Sequence, residues 1–268
     1  MKKDIYTEDR AKWQVPAMET PLWLGKQHPF CVVIPVINEG DRIRNLLKRM
    51  QAQQIASIAD IIIVDGGSTD GSLEIGELKH VGVRGLVVKK GPGKLSAQLR
   101  CAYAFVLDQG FEGIVTIDGN DKDDPGAIPR FIEALKSGVD FVQGSRFLPG
   151  GRAVNTPKLR DFAIRYIHAP CLSIASGFKW SDTTQGFRAY SRRLLVDRRI
   201  QVFRSIFLEY ELLAYLTYIS PRLGFNCLEL PSKREYPLGL VPTKITSITG
   251  NLLLIRTLLY ACLGKYNP

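Results

Sequence analysis

The 268-residue chain is short of the features that would mark a secreted or membrane-spanning protein. Its five cysteines, Cys31, Cys101, Cys171, Cys227 and Cys262, are odd in number, far apart and never in a Cys-x-x-Cys pair. That argues against a disulfide scaffold or a zinc site, and reads them as small apolar core residues in a reducing compartment. No stretch reaches the ~18 uncharged apolar residues of a spanning helix. The opening MKKDIYTEDRAKW has no apolar segment of the kind a signal peptide carries. The expected location is cytoplasmic, or peripheral on the cytoplasmic face of a membrane. Internal repeats and linker-like boundaries are also absent. Hydrophobic residues at 45% and charged residues at 23% exclude collagen-like, low-complexity and wholly disordered chains.

What is present is an uneven charge. Residues 1–150 hold 19 basic and 19 acidic residues, whereas residues 151–268 hold 17 basic and 7 acidic, so the whole excess of +10 lies in the second part. Such asymmetry points to an anionic partner there: nucleic acid, an anionic membrane surface or a phosphorylated substrate.

Short β-branched runs alternate with helical patterns. Residues 31–36, 60–65, 85–88, 113–118 and 140–144 read as buried parallel strands, apolar on both faces. Residues 41–54, 68–78, 94–109 and 125–136 read as the helices between them. Strand–helix repetition predicts a doubly wound, mostly parallel α/β sheet of Rossmann type, with ligands at the carboxyl ends of its strands. Beyond 150 the pattern turns helical, at 159–176, 203–220 and 245–263, with a short strand near Leu228.

Acids and glycines gather at those strand ends. Asp65-Gly66-Gly67-Ser68-Thr69-Asp70-Gly71 offers a carboxylate for a ribose or base N–H and a serine to cap a helix. Asp118-Gly119-Asn120-Asp121-Lys122-Asp123-Asp124 holds four Asp and one Asn within seven residues. These are hard oxygen ligands suited to Mg²⁺ or Mn²⁺ bridging to substrate phosphates. An EF-hand is excluded, because its Gly spacing and distal Glu are missing. Read alone, each segment also fits a tight strand–helix turn with a capping side chain.

Together with Pro35-Val36-Ile37-Asn38-Glu39, these segments resemble the family 2 glycosyltransferases of GT-A fold. Gly91-Pro92-Gly93-Lys94-Leu95-Ser96-Ala97, Gln143-Gly144-Ser145-Arg146 and Asp182-Thr183-Thr184-Gln185-Gly186-Phe187-Arg188 extend the likeness in order over residues 30–245. Within the family the chain is most similar to the polyprenyl-phosphate sugar synthases, with a looser match at Arg234 and Thr243-Lys244. Two positions depart from the pattern: Gly66 and Asn120 stand where the family carries the second Asp of Val-Asp-Asp and of Asp-x-Asp.

The resemblance implies a donor-binding part at 29–150, an acceptor part at 151–245, an N-terminal arm at 1–28, a C-terminal amphipathic helix at 246–268 and no transmembrane helix. It implies an inverting transfer from a nucleotide diphosphate sugar. Pro35, Asn38, Glu39 and Asp65 would line the nucleoside pocket, with Lys94 nearby. Asp118 and Asn120 would hold the ribose and a Mg²⁺ or Mn²⁺ ion on the diphosphate. Arg188, Arg234 and Lys244 would contact phosphates. A hydroxyl acceptor would need a base, Asp182 first and Glu211 next. A lipid phosphate, already anionic, would need none, and Asp182 would then position Arg188 or the acceptor.

The expected acceptor is polyprenyl phosphate or a membrane-associated glycan or lipid, and the alternative is a soluble or protein hydroxyl. The last helix, mostly apolar but carrying Arg256, suits a peripheral membrane contact, packing on the body, or a homo-oligomer interface. A sugar nucleotidyltransferase is disfavoured by the missing Gly-rich N-terminal loop. A nucleic-acid-binding module is disfavoured because no basic helix or aromatic-basic interleaving is present.

Overall fold

A computed structural model describes residues 9–237 and 248–268. Five central strands carry the alternation seen in the sequence: β2 (Phe30–Val36), β3 (Asp60–Asp65), β4 (Val83–Lys89), β5 (Gly113–Thr116) and β6 (Phe141–Ser145). β1 (Met18–Trp23), β8 (Arg188–Ser191) and β9 (Cys227–Pro231) complete an eight-stranded sheet in the order β1-β4-β3-β2-β5-β8-β6-β9. β4, β3, β2 and β5 run parallel. β1 is antiparallel on one edge, and β8 is antiparallel between β5 and β6. β7 (Arg152–Val154) and β10 (Lys233–Glu235) form a separate two-stranded parallel ribbon.

Every residue of β3 is buried, because helices cover both faces. The two-residue period sends Val32, Ile34, Ile61 and Ile63 to one side, where they meet α1 (Asp41–Ala52) and α4 (Ile128–Lys136). Cys31, Val33, Ile62 and Val64 go to the other, against α3 (Leu95–Asp108), α6 (Ala169–Ser176), α8 (Glu211–Arg222) and α9 (Ile248–Cys262). Each fully buried Val or Ile contributes about 1.5–3 kcal/mol, so the five-strand centre is the rigid floor of the molecule. Pairing of Val36 with Asp65 brings the ends of β2 and β3 level.

Four sequence expectations are revised. Residues 68–78 form a turn followed by a short α2 (Ile75–His80), because the Asp65 and Asp70 carboxylates bind backbone N–H groups of the turn. Residues 203–210 stay out of α8: the carbonyls of Leu208 and Glu209 accept the N–H groups of Lys94, Ser96 and Ala97 instead, closing the N-terminus of α3. The helix expected at 159–176 is broken by a π-helical turn, Ile164–His168, between α5 (Lys158–Ala163) and α6. Within the segment read as an arm, Met18–Trp23 is a strand of the main sheet, and Trp13 stacks on Phe203 at 3.7 Å. Among the described residues no helix is long and apolar enough to cross a membrane.

Candidate active site

The carboxyl ends of β2, β3 and β5 meet in one place. After β2 the chain turns through Asn38, whose φ of 49° lies in the left-handed region that Asn tolerates. Its Oδ1 accepts the Thr69 N–H at 2.8 Å, and its own N–H donates to Ser68 Oγ at 3.0 Å. Gly40 N–H donates to Asp70 at 2.8 Å, so the two loops are laced together. Asp65 accepts both the N–H and the hydroxyl of Ser68, at 2.9 and 2.6 Å. Below them the buried Gln98 amide of α3 donates to the carbonyls of Val36 and Val64, tying the two strand ends together. Glu39 is buried and paired with Arg42 at 2.7 Å. Pro35 adjoins the third strand end, since the Gly119 N–H points to its carbonyl at 3.4 Å.

Asp118 is the centre of the acidic turn. Its side chain is 23% exposed, and Oδ2 accepts Arg234 Nη2 at 3.0 Å and Asn120 Nδ2 at 3.5 Å. A Cβ on Gly186 would lie 2.2 Å from Asp118 Oδ1, so only glycine leaves room for this carboxylate. The other guanidinium nitrogen of Arg234 bonds Asp123, which is fully buried and also accepts the Gln185 amide at 2.6 Å. Among the described residues no group of three His, Cys, Asp or Glu side chains could enclose a metal ion. Asp118 and Asn120 together offer a carboxylate and an amide oxygen. That fits Mg²⁺ or Mn²⁺ completed by substrate phosphates and water, the usual arrangement for such hard cations.

Beside this turn lies a cationic cluster that no sequence motif announced. Arg160 of α5 donates to the Tyr236 hydroxyl at 3.0 Å, and Lys122 Nζ sits 4.7 Å above the Tyr236 ring. Burial, reinforced by the Arg234 charge, lowers the Lys122 pKa. Burial by itself raises the Tyr236 phenol, but Arg234 and Arg160 outweigh it and hold the pKa below its ordinary value. Arg160 has no carboxylate partner among the described residues. A cleft of about 730 Å³ opens along the acidic turn, lined by the cations Arg42, Arg49, Lys122 and Lys233 and by the acids Asp121, Asp124 and Glu235, within the size range of small-ligand sites.

The remaining candidates among the described residues are engaged in other contacts. Arg188 is fully buried and donates to the carbonyls of Gln185, Leu213 and Thr183 and to the Thr217 hydroxyl. It is a cross-brace beneath the sheet's carboxyl edge. Asp182 is fully buried in a two-pronged pair with Arg146, at 2.6 and 2.9 Å. Glu211 accepts the N–H groups of Leu208 and Glu209 at the start of α8. Lys94 is exposed and bridges to Glu209 at 3.0 Å. Lys244 lies outside the described residues. Arg160, Lys122, Tyr236 and Gly186 have no role in the sequence reading, which counts Asp123 among the oxygen ligands; the structure pairs Asp123 with Arg234 instead. Tyr236, two residues after Arg234, and Lys122 and Gly186, each within a recognised motif, had a local signal; Arg160 had none.

The profile of Glycosyl transferase family 2 matches residues 31–198, which span β2 through α7 (Arg192–Leu195) and include Asp65, Asp118 and Asp182. The chain belongs to glycosyl transferase family 2. It is 28% identical over 210 residues to an undecaprenyl-phosphate mannosyltransferase of Micrococcus luteus, covering 74% of this chain and 80% of that protein. It is 30% identical over 235 residues to a dolichyl-phosphate hexose transferase of Haloferax volcanii, covering 87% of this chain and 94% of that one. Among solved structures it is similar to glucosyl-3-phosphoglycerate synthase of Mycobacterium tuberculosis in complex with Mn²⁺, UDP and phosphoglyceric acid. That match has a TM-score of 0.57 at 19% identity, over 87% of this chain and 78% of the other. The enzyme is thus a glycosyltransferase of GT-A fold, as its sequence predicted.

Proposed function

We propose that this glycosyltransferase moves a sugar from a nucleotide diphosphate sugar to a phosphate-bearing acceptor, polyprenyl phosphate, at a membrane surface. The carrying observation is the cationic cluster of Lys122, Arg160 and Arg234 around Tyr236, next to Asp118. Arg160 pairs with no carboxylate among the described residues, and guanidinium and ammonium groups converging on one ring suit an incoming phosphate. Relatives named for undecaprenyl phosphate and dolichyl phosphate support the same acceptor class.

The donor's nucleoside would sit over Asn38, Glu39 and Asp65, with its ribose and diphosphate reaching Asp118. A Mg²⁺ or Mn²⁺ ion held by Asp118 and Asn120, when bound, would act as a Lewis acid on the leaving diphosphate. Arg234 stabilises negative charge as the sugar–phosphate bond breaks. The acceptor phosphate, held by Arg160 and Lys122, attacks the anomeric carbon from the opposite face and inverts it. Such an acceptor is anionic and needs no general base. This agrees with Asp182 and Glu211, whose oxygens are engaged by Arg146 and by backbone N–H groups. Asp182 then acts as a positioning residue for the Arg146 segment.

A lipid acceptor also accounts for the exposed apolar side chains. Among the described residues, ten of the sixteen large ones lie on the 158–176 helix and on α9 with its next residue, including Phe162, Tyr166, Ile174, Leu252, Leu259 and Leu263. Apolar stripes beside basic residues suit the headgroup boundary of a bilayer.

The test supplies the purified chain and Mn²⁺ with a panel of nucleotide diphosphate sugars and three acceptors: polyprenyl phosphate in vesicles, 3-phosphoglycerate, and a glycan hydroxyl. The expected product forms on the vesicle lipid. Transfer only to the hydroxyl acceptor would overturn the phosphate reading, and transfer only to 3-phosphoglycerate would overturn the membrane one.

A further inference from the structure

Arg234 stands in an unusual place for a substrate-binding cation. It is 7% exposed, and one guanidinium nitrogen lies 3.0 Å from Asp118 Oδ2, on the carboxylate that would serve the metal. The other is held by the fully buried Asp123 at 2.5 Å. Arg234 belongs to β10, paired with β7, and its backbone also bridges to that of Asp123. Side chain and main chain therefore both pin the guanidinium at the acidic turn. The Asn120 amide donates to the same Asp118 oxygen, at 3.5 Å.

We propose that Arg234 is the resident counter-cation of the metal-site carboxylate. It keeps divalent metal weakly bound to the free enzyme, so that metal enters together with the donor. The proposal rests on the reading of Asp118 as a metal ligand. Its physical basis is simple. A fixed positive charge in contact with Asp118 competes for one oxygen and repels a second cation at short range, where protein and solvent screen poorly. A nucleotide diphosphate brings the negative charge that lets both cations occupy the turn. Asn120, where the family pattern carries a second Asp, deepens the effect, because one acid fewer faces the same arginine. The fully buried Asp123 belongs to this device: it fixes the guanidinium and gains a partner for a carboxylate that could not stay ionised alone.

Mn²⁺ binding to the full chain without nucleotide, read from loss of the free-ion EPR signal, tests this. Arg234→Lys keeps a cation for buried Asp123, and with it the fold, but one ammonium cannot span two carboxylates. It is expected to bind Mn²⁺ severalfold more tightly than wild type, and Arg234→Gln about tenfold more tightly, equivalent to about 1.4 kcal/mol. Adding Asp118→Asn to Arg234→Lys should abolish the gain. An Arg234→Lys protein that melts at the wild-type temperature and binds Mn²⁺ no better overturns the proposal. A gain that survives Asp118→Asn places the ion elsewhere, and the metal-site reading fails instead.

Discussion

The two halves of this glycosyltransferase handle charge in opposite ways. Before residue 150, the acids at the ends of β2 and β3 are satisfied by nearby groups, Asp65 by Ser68, Asp70 by Ser72 and Gly40, Glu39 by Arg42, whereas Asp118 and Asp123 after β5 are paired by the distant Arg234. Beyond residue 150, basic residues outnumber acidic ones, 17 to 7. Some are consumed as braces, as Arg188 is by carbonyls, and others converge near Tyr236. A net charge thus says little about which cations are available. Arg188 and Arg160 carry the same charge, yet one is fully buried under four acceptors and the other touches a single hydroxyl and a ring.

The contrast breaks first at Asp118. Asp118→Asn is expected to lower turnover of the nucleotide sugar by about 10³-fold, the scale of losing a charged group from the reacting centre. A smaller loss than for acceptor-side variants would invert the comparison. Gly186→Ala, which removes no functional group, should cost roughly 10²-fold, because a Cβ there overlaps Asp118 Oδ1 and displaces the carboxylate. Wild-type kcat in a folded Gly186→Ala protein would show that Asp118 needs no fixed place.

Arg188→Met tests the brace. Leaving several buried carbonyls without donors should cost about 3 kcal/mol, a Tm fall of roughly 10 °C in a chain of this size. A protein that melts normally but has lost acceptor affinity would return Arg188 to the site. Arg160→Ala addresses the cluster at Tyr236: KM for a phosphate acceptor should rise about tenfold, about 1.4 kcal/mol, with KM for the donor unchanged. Equal changes in both constants would mean the two halves share one anion site.

A further effect concerns pH. His168, in the π-helical turn, bonds Thr183 at 2.6 Å, and burial, with the nearby Arg188 charge, pushes its pKa down to about 4 from 6.5. The unfolded chain therefore takes up this proton first. The stability from neutral His168 is whole above about pH 6.5 and is lost as pH falls toward 4. Melting temperatures across that window should drop by up to roughly 10 °C more in wild type than in His168→Gln. Parallel curves for the two proteins would remove His168 from the account.

The acidic strand ends were legible because strand-end chemistry is local. Asn38, Asp65 and Asp118 each follow a buried β-branched run within a few residues, so the motif and the fold that places it are written in the same stretch. The family followed from those motifs in order. The helix boundaries at 68–78 and 203–210 were not legible, because side chains and carbonyls distant in sequence took the backbone hydrogen bonds a helix would have used.

On its own, the sequence determined the α/β alternation, the three acidic strand ends and the concentration of positive charge beyond residue 150, since each depends on composition and short-range periodicity. Only the tertiary structure decided which cations face the site. β10 returns 111 residues after Asp123 to set Arg234 between Asp118 and Asp123, and α5 brings Arg160 to Tyr236 across 76 residues. Such pairings are chosen by the packing of distant elements, where burial makes an unpaired charge too costly to leave, and no local pattern records that choice.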